Sequence, residues 1–261
     1  MNSVNLAIRE FRFDQKSFWR DPQTVFFTVG LPLLYLFIFA TIFGSQTSLM
    51  PGQKGAIKMT AFYVAGIIVI GVISAAFMNL ASTLVLERES GNLKRVRSTP
   101  LPTGVFIAGY VATALLMAVL LAALVMVLGR IAYGVPIPGA TMPAFAVTVL
   151  VGAASFSCLA FAFTVAVKQQ RAALAMISAV TLVLFFISGN FFPVDKAPAA
   201  LTTIANLFPV RHFNTAMWTA FNPHTTGMGF QWTDIGVIAL WGLAGLLIAI
   251  RFFRWKPTGE K

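Results

Sequence analysis

AFYVAGIIVIGVISAAFMNLASTLVL, residues 61–86, runs straight into ERESGNLKRVRSTPLP, residues 87–102. The first block has no Asp, Glu, Lys, Arg or His. An α-helix rises 1.5 Å per residue, so a helix over residues 61–86 is long enough to cross a hydrocarbon core of about 30 Å. The second block is its opposite. It is dense in charge, Gly91 permits a helix stop, and Pro100 and Pro102 fix the direction in which the chain leaves.

The rest of the chain repeats this alternation. Apolar stretches free of charge lie at about 25–45, 104–128, 143–167, 172–192 and 235–250. With residues 61–86 they predict an all-α membrane protein with six transmembrane helices in a single transmembrane domain, 1–261. Composition agrees: 58% of residues are hydrophobic and 10% charged, against roughly 45–50% and about 25% in soluble domains. A cleavable signal peptide is the rival reading of the first stretch. Val25–Gly44 is longer than the apolar region of such a peptide and follows a polar lead, so it is read as a permanent helix.

The net charge of +11 raises the question of nucleic acid, and the placement of the basic residues answers it. They cluster at span ends. With both termini cytoplasmic, fourteen of the nineteen Lys and Arg fall on inner segments. Only Lys54, Lys58, Arg130, Lys196 and Arg211 fall outside, a clear positive-inside bias. The sequence therefore predicts a multi-pass protein of the cell membrane that contacts lipid and no nucleic acid.

Three connecting regions have patterns of their own. In the lead, 1–24, Arg9, Arg12, Lys16 and Arg20 share one helical face and Val4, Ile8, Phe11 and Phe18 the other, which predicts an amphipathic interfacial helix ahead of the bundle of 25–254. Lys168-Gln169-Gln170-Arg171 leaves only a tight turn between the fourth and fifth spans, which makes them expected neighbours. The outer segment, 193–234, combines Pro193, Pro198, Pro209 and Pro223 with Leu201, Ile204, Leu207, Phe208 and Phe213. It predicts two short helices on or dipping into the outer leaflet, since irregular backbone is excluded from hydrocarbon.

Several function classes drop out. Ion-coupled carriers place ionisable groups at membrane depth, and none of the six stretches holds one; His212 and His224 lie in the outer segment. There is no G-x-x-x-x-G-K-[ST] phosphate loop, so the chain is not expected to hydrolyse ATP. The one cysteine, Cys158, allows no intrachain disulfide, and no metal-ligand cluster or Ser/His/Asp arrangement is present. The chain is read as neither an enzyme nor a cofactor or metal protein.

The loop 87–102 then carries most of the information. Positive-inside bias explains a basic loop, but not Glu87 and Glu89 flanking Arg88 at a helix end. Leu93 and Val96 are spaced to present a small apolar face, as a docking element would.

Here the sequence resembles the type-2 ATP-binding-cassette permease family of drug, polysaccharide and lipid exporters. Glu87, Arg88, Glu89, Gly91 and Leu93, with Thr99-Pro100 beyond, look like its cytoplasmic coupling helix. Ser188-Gly189-Asn190-Phe191-Phe192-Pro193 through Pro198, Leu201 and Pro209 looks like its outer re-entrant helices, and the lead like its connecting helix. The resemblance implies a membrane subunit paired with a second permease subunit, identical or paralogous. It also implies two cytoplasmic ATPase subunits, which would bind the ATP and magnesium.

It further implies a substrate pathway walled by the second and fifth spans. Carried onto this chain, the wall is Ser74, Asn79, Ser82 and Thr83, with Ser178, Thr181, Phe185, Ser188 and Asn190. Each has a plainer role available, because Ser and Thr bond their own helix backbone and Asn glues helices together. Gly66, Gly71 and Ala75 suit close helix packing. An uncharged wall of hydroxyls, amides and phenylalanines suits an amphiphile, either a drug-like compound or a lipid. Alternatives are a lipid-linked glycan or polysaccharide flippase of the same family and, outside it, a membrane scaffold or channel.

Overall fold

The computed structural model of the chain describes residues 16, 19–49, 56–93, 103–167, 170–190 and 199–252. Most of the amphipathic lead, the loop from Lys94 to Pro102, Lys168 and Gln169, and Phe191 to Pro198 lie outside the described residues.

Helix α1, residues 22–43, runs as Pro22–Val25, a π-helical segment Phe26–Gly30 and Leu31–Phe43. Pro32 follows the π segment, where the wider winding relieves the clash of its ring with the carbonyl four residues back. Two short strands come next: β1, Thr47–Leu49, pairs antiparallel with β2, Ala56–Lys58, in the register Thr47↔Lys58. The all-α reading passed over this ribbon. Its strands are three residues each, too short for alternating hydrophobicity to register.

The central element is α2, Met59–Glu89, with a π segment at Ser74–Asn79. Every residue from Met59 to Phe77 is buried. A helix apolar all round is a core helix, and α2 is enclosed by α1, α3 (Thr103–Tyr133), α4 (Met142–Ala166) and the short α7 (Pro209–Phe221). The remaining elements are α5 (Gln170–Ile187), α6 (Ala199–Ala205) and α8 (Trp232–Phe252).

Four helices, Met59–Glu89, Phe106–Tyr133, Met142–Ala166 and Trp232–Phe252, are long and apolar enough to cross a membrane, while Thr28–Phe43 and Ala172–Phe186 are shorter apolar helices. Each of the six predicted stretches is helical over most of its described residues, and four of the helices reach membrane length by themselves.

Small residues set the closest approaches. A Cβ at Gly242 would lie 2.7 Å from Ser155 Cα, and one at Gly245 would lie 3.0 Å from the carbonyl carbon of Cys158 and from Leu159 N. Glycine lets two backbones touch where no side chain fits, and α8 packs along α4 through this seam. Gly71 faces Leu121 of α3, as close helix packing required.

One expected neighbour relation fails. Across the short connection α5 packs on the Glu89 end of α2 and makes little contact with α4 among the described residues. The cause is local: Val167 is extended (φ −85°, ψ 118°), which turns the chain off the axis of α4, and α8, α3 and α2 already cover that helix.

Candidate functional site: the two ends of α2

At the Glu89 end, three consecutive charged side chains are all engaged. Glu87 accepts a hydrogen bond from Tyr110 of α3. Arg88 is 2% exposed; its Nη1 donates to the Thr164 carbonyl and its Nη2 to the Val167 carbonyl, both at 2.9 Å. The Thr164 carbonyl is in the last turn of α4, where carbonyls lack intrahelical donors and carry the negative end of the helix dipole, and the Val167 carbonyl follows directly on the helix end. The third partner of the guanidinium is Glu89, with Nε 3.3 Å from Oε1.

Arg88 is thus an internal cap that ties α2 to α4, a role not anticipated from the sequence. The available signal was an arginine held between two glutamates at a helix end. Beyond it Gly91 adopts φ 77° with open space where a Cβ would lie, so the turn depends on its backbone freedom. Asn92 and Leu93 are helical again, and Leu93 is fully buried. Of the five candidate coupling residues, Arg88 and Leu93 face inward, and Glu87, Glu89 and Gly91 are half-buried.

The candidate pathway residues divide similarly. Ser74 is buried at the start of the π segment of α2, and Asn79, Ser82 and Thr83 are half-buried along the Glu89 half. π segments inside α-helices recur at functional sites, and this one touches α5. On α5, Ser178 is exposed and Phe185 buried. Thr181 and Ser188 bond their own helix, Oγ1 to the Ile177 carbonyl at 2.8 Å and Oγ to the Phe185 carbonyl at 2.9 Å, the plainer role already open to them. Asn190 is buried against Gly66 of α2.

The Met59 end adds residues that the sequence did not single out. In α7, Asn214 Nδ2 donates to the Ser188 carbonyl at 3.3 Å and Trp218 stacks on Phe62 of α2 with ring centroids 4.9 Å apart. His212 pins α7 in place, with Nδ1 2.6 Å from Asp234 Oδ1 of α8 and Nε2 2.8 Å from the Asn206 carbonyl. The spacing of Arg211, Asn214, Thr215 and Trp218, three to four residues apart on one helical face, was the missed signal.

The family profile described as ABC-2 type transporter matches residues 6–222, which takes in both ends of α2 and the helices around it. The chain belongs to the ABC-2 type transporter family. YvfS of Bacillus subtilis (strain 168), named for a transport permease, is 21% identical over 254 residues, covering 97% of this chain and 98% of YvfS. YadH of Escherichia coli (strain K12), named as an inner membrane transport permease, is 34% identical over 89 residues, about a third of either chain. YbhR of the same strain, whose name describes a multidrug ABC transporter permease, is 27% identical over 150 residues, 58% of this chain and 39% of YbhR. As an ABC-2 protein with four apolar helices of membrane length, the chain is a membrane subunit of an ABC transporter. The ties of Glu87 and Arg88 join one end of α2 to α3 and α4.

Proposed function

We propose that this ABC-2 subunit is the permease of an ATP-driven exporter, moving an amphiphile, drug-like or lipid, out of the cytoplasm or the inner leaflet of the cell membrane. The observation that carries the reading is the engaged charge triplet on a family member: Glu87 ties one end of α2 to α3, Arg88 ties it to the end of α4, and Glu89 pairs with Arg88. A push on the turn at Gly91 would reach three helices at once. The ATPase, with its ATP and magnesium, is a separate cytoplasmic subunit; a second permease subunit completes the pathway along α2 and α5. The name of YbhR favours drug-like cargo. A lipid-linked glycan is the second reading, as an amphiphile of the same build.

Six spans with both termini cytoplasmic complete the proposal, with α1 and α5 crossing in the company of the longer helices. Fourteen basic residues inside against five outside support this orientation. In a Cys158→Ala background, cysteines at Gly139 and Gly227, both exposed, label with an impermeant maleimide from outside intact cells. A cysteine at Asn92, also exposed, labels only after permeabilisation. Labelling at Asn92 in intact cells would invert the topology.

The coupling role is tested on Glu89, whose side chain keeps 18% exposure beside the turn. Affinity purification of the full chain from its own membranes is expected to bring down a P-loop ATPase. Truncating one partner of a buried charged contact costs about 2–5 kcal/mol, so Glu89→Ala should reduce that recovery at least tenfold while expression holds. Undiminished ATPase recovery by Glu89→Ala would end its coupling role.

A further inference from the structure

At the Met59 end of α2, buried polar atoms lie together without partners. Asn190 is 3% exposed, Trp218 1% and Asn214 0%. Among the described residues, neither amide atom of Asn190, nor Asn214 Oδ1, nor Trp218 Nε1 has a hydrogen-bond partner. They belong to one cluster. Asn214 Nδ2 and Arg211 Nη1 both donate to the Ser188 carbonyl, at 3.3 and 3.4 Å. The Arg211 guanidinium lies 5.7 Å from the centroid of the Trp218 ring, which stacks on Phe62. One helical turn from Phe62, Gly66 supplies the room that Asn190 occupies: a Cβ there would stand 3.0 Å from Asn190 Oδ1.

A buried donor or acceptor left unpaired destabilises the fold, and natural structures keep few of them. Packing does not explain four such atoms in one place, because leucine and phenylalanine would fill the same space without the desolvation cost. Local rules are broken where function requires it.

We propose that Asn190, Asn214 and Trp218 form a subsite for the polar end of the transported amphiphile, and that this end is neutral and carries hydroxyl or amide groups. The proposal rests on the exporter reading and narrows its substrate. The unpaired set holds two donors, Asn190 Nδ2 and Trp218 Nε1, and two acceptors, Asn190 Oδ1 and Asn214 Oδ1. A phosphate or carboxylate would be drawn by the Arg211 guanidinium, which is already turned to the Ser188 carbonyl, but as an acceptor it would also face the two amide oxygens of Asn190 and Asn214. An ammonium would lie beside the Arg211 guanidinium. A hydroxyl or primary amide both donates and accepts, as this set requires. In the arrangement described, α7 covers the subsite; a shift of α7 off α2 admits the ligand.

The test needs no ATPase. The full chain in phosphatidylcholine nanodiscs is titrated with three fluorescent probes that share one acyl chain and differ in the head, glycerol, phosphate or trimethylammonium, each corrected for binding to empty discs. The glycerol probe is expected to bind at least about tenfold more tightly than the others, a difference of about 1.4 kcal/mol. Asn190→Leu deletes only unpaired groups, whereas Trp218→Phe deletes the unpaired Nε1 together with part of a buried ring and keeps an aromatic face on Phe62. Each should weaken glycerol-probe binding about tenfold, and the thermal midpoint of Asn190→Leu should stay level or rise, since an unpaired polar group has been removed. Equal binding of the phosphate probe, no binding of any probe, wild-type affinity in both variants, or a fall in the midpoint of Asn190→Leu would overturn the subsite. A failed exporter reading gives a different pattern: head-group selectivity is kept and ATP drives no transport.

Discussion

Arg88→Ala is expected to lower the thermal midpoint of the purified chain by roughly 6–12 °C, which makes it among the most damaging single truncations of a polar side chain in the molecule. Arg88 donates at 2.9 Å to the carbonyls of Thr164 and Val167 and is 2% exposed. A hydrogen bond to a charged group is worth about 1.5–3 kcal/mol, and a carbonyl left buried and unpaired adds its own cost. Two such bonds give at least about 3 kcal/mol, and in a chain of this size each kcal/mol moves the midpoint by roughly 2–4 °C. Arg88→Lys should recover little, because an ammonium cannot present the planar fork that reaches two carbonyls. Scanning fluorimetry in detergent decides it, and a wild-type midpoint for Arg88→Ala would remove the cap from the account. The consequence extends beyond stability, because the same side chain joins the α2 end to α4.

The second large effect is expected at the seam between α4 and α8. Gly242→Val places a Cβ 2.7 Å from Ser155 Cα and 2.4 Å from its Oγ; Gly245→Val meets the backbone at Cys158 and Leu159 at 3.0 Å. The hydroxyl can rotate away, but backbone cannot, so the helices must part. Overpacking costs about 1–3 kcal/mol per site, and the double variant should lose most of its monodisperse peak in size-exclusion chromatography. Gly236→Ala, on the same helix with nothing within 4 Å of its Cβ, is the control and should elute as wild type. A normal profile for the double variant would mean that the seam is slack.

How much of this was legible in the sequence follows from which forces act locally. The helices were readable because the run of apolar residues alone fixes them: α4 was expected at 143–167 and is Met142–Ala166, and α3, expected at 104–128, extends to Tyr133. Two short helices within 193–234 were also legible, since Pro209 pre-sets a helix start and α7 begins on it. What escaped depends on partners far along the chain. Arg88 reads as a loop charge until Thr164 and Val167 are seen to end beside it. Asn190 was singled out with the fifth span and lies just past α5, but Asn214 and Trp218, which complete its cluster, come from α7 and meet it only through Ser188, Phe62 and Gly66. The packing of α5 on α2 was missed for a related reason, because a short connection fixes sequence adjacency and not contact.

Movement of cargo in sealed vesicles separates an ATP-driven exporter from a channel or scaffold. The chain is reconstituted with the ATPase that co-purifies with it, a fluorescent glycerol-headed amphiphile is supplied, and ATP is added on the ATPase side. An exporter gives one-way movement that needs this chain, the ATPase and hydrolysable ATP together, and that stops with a non-hydrolysable analogue. Movement at the same rate in both directions without ATP would contradict it and leave a channel or scaffold in its place.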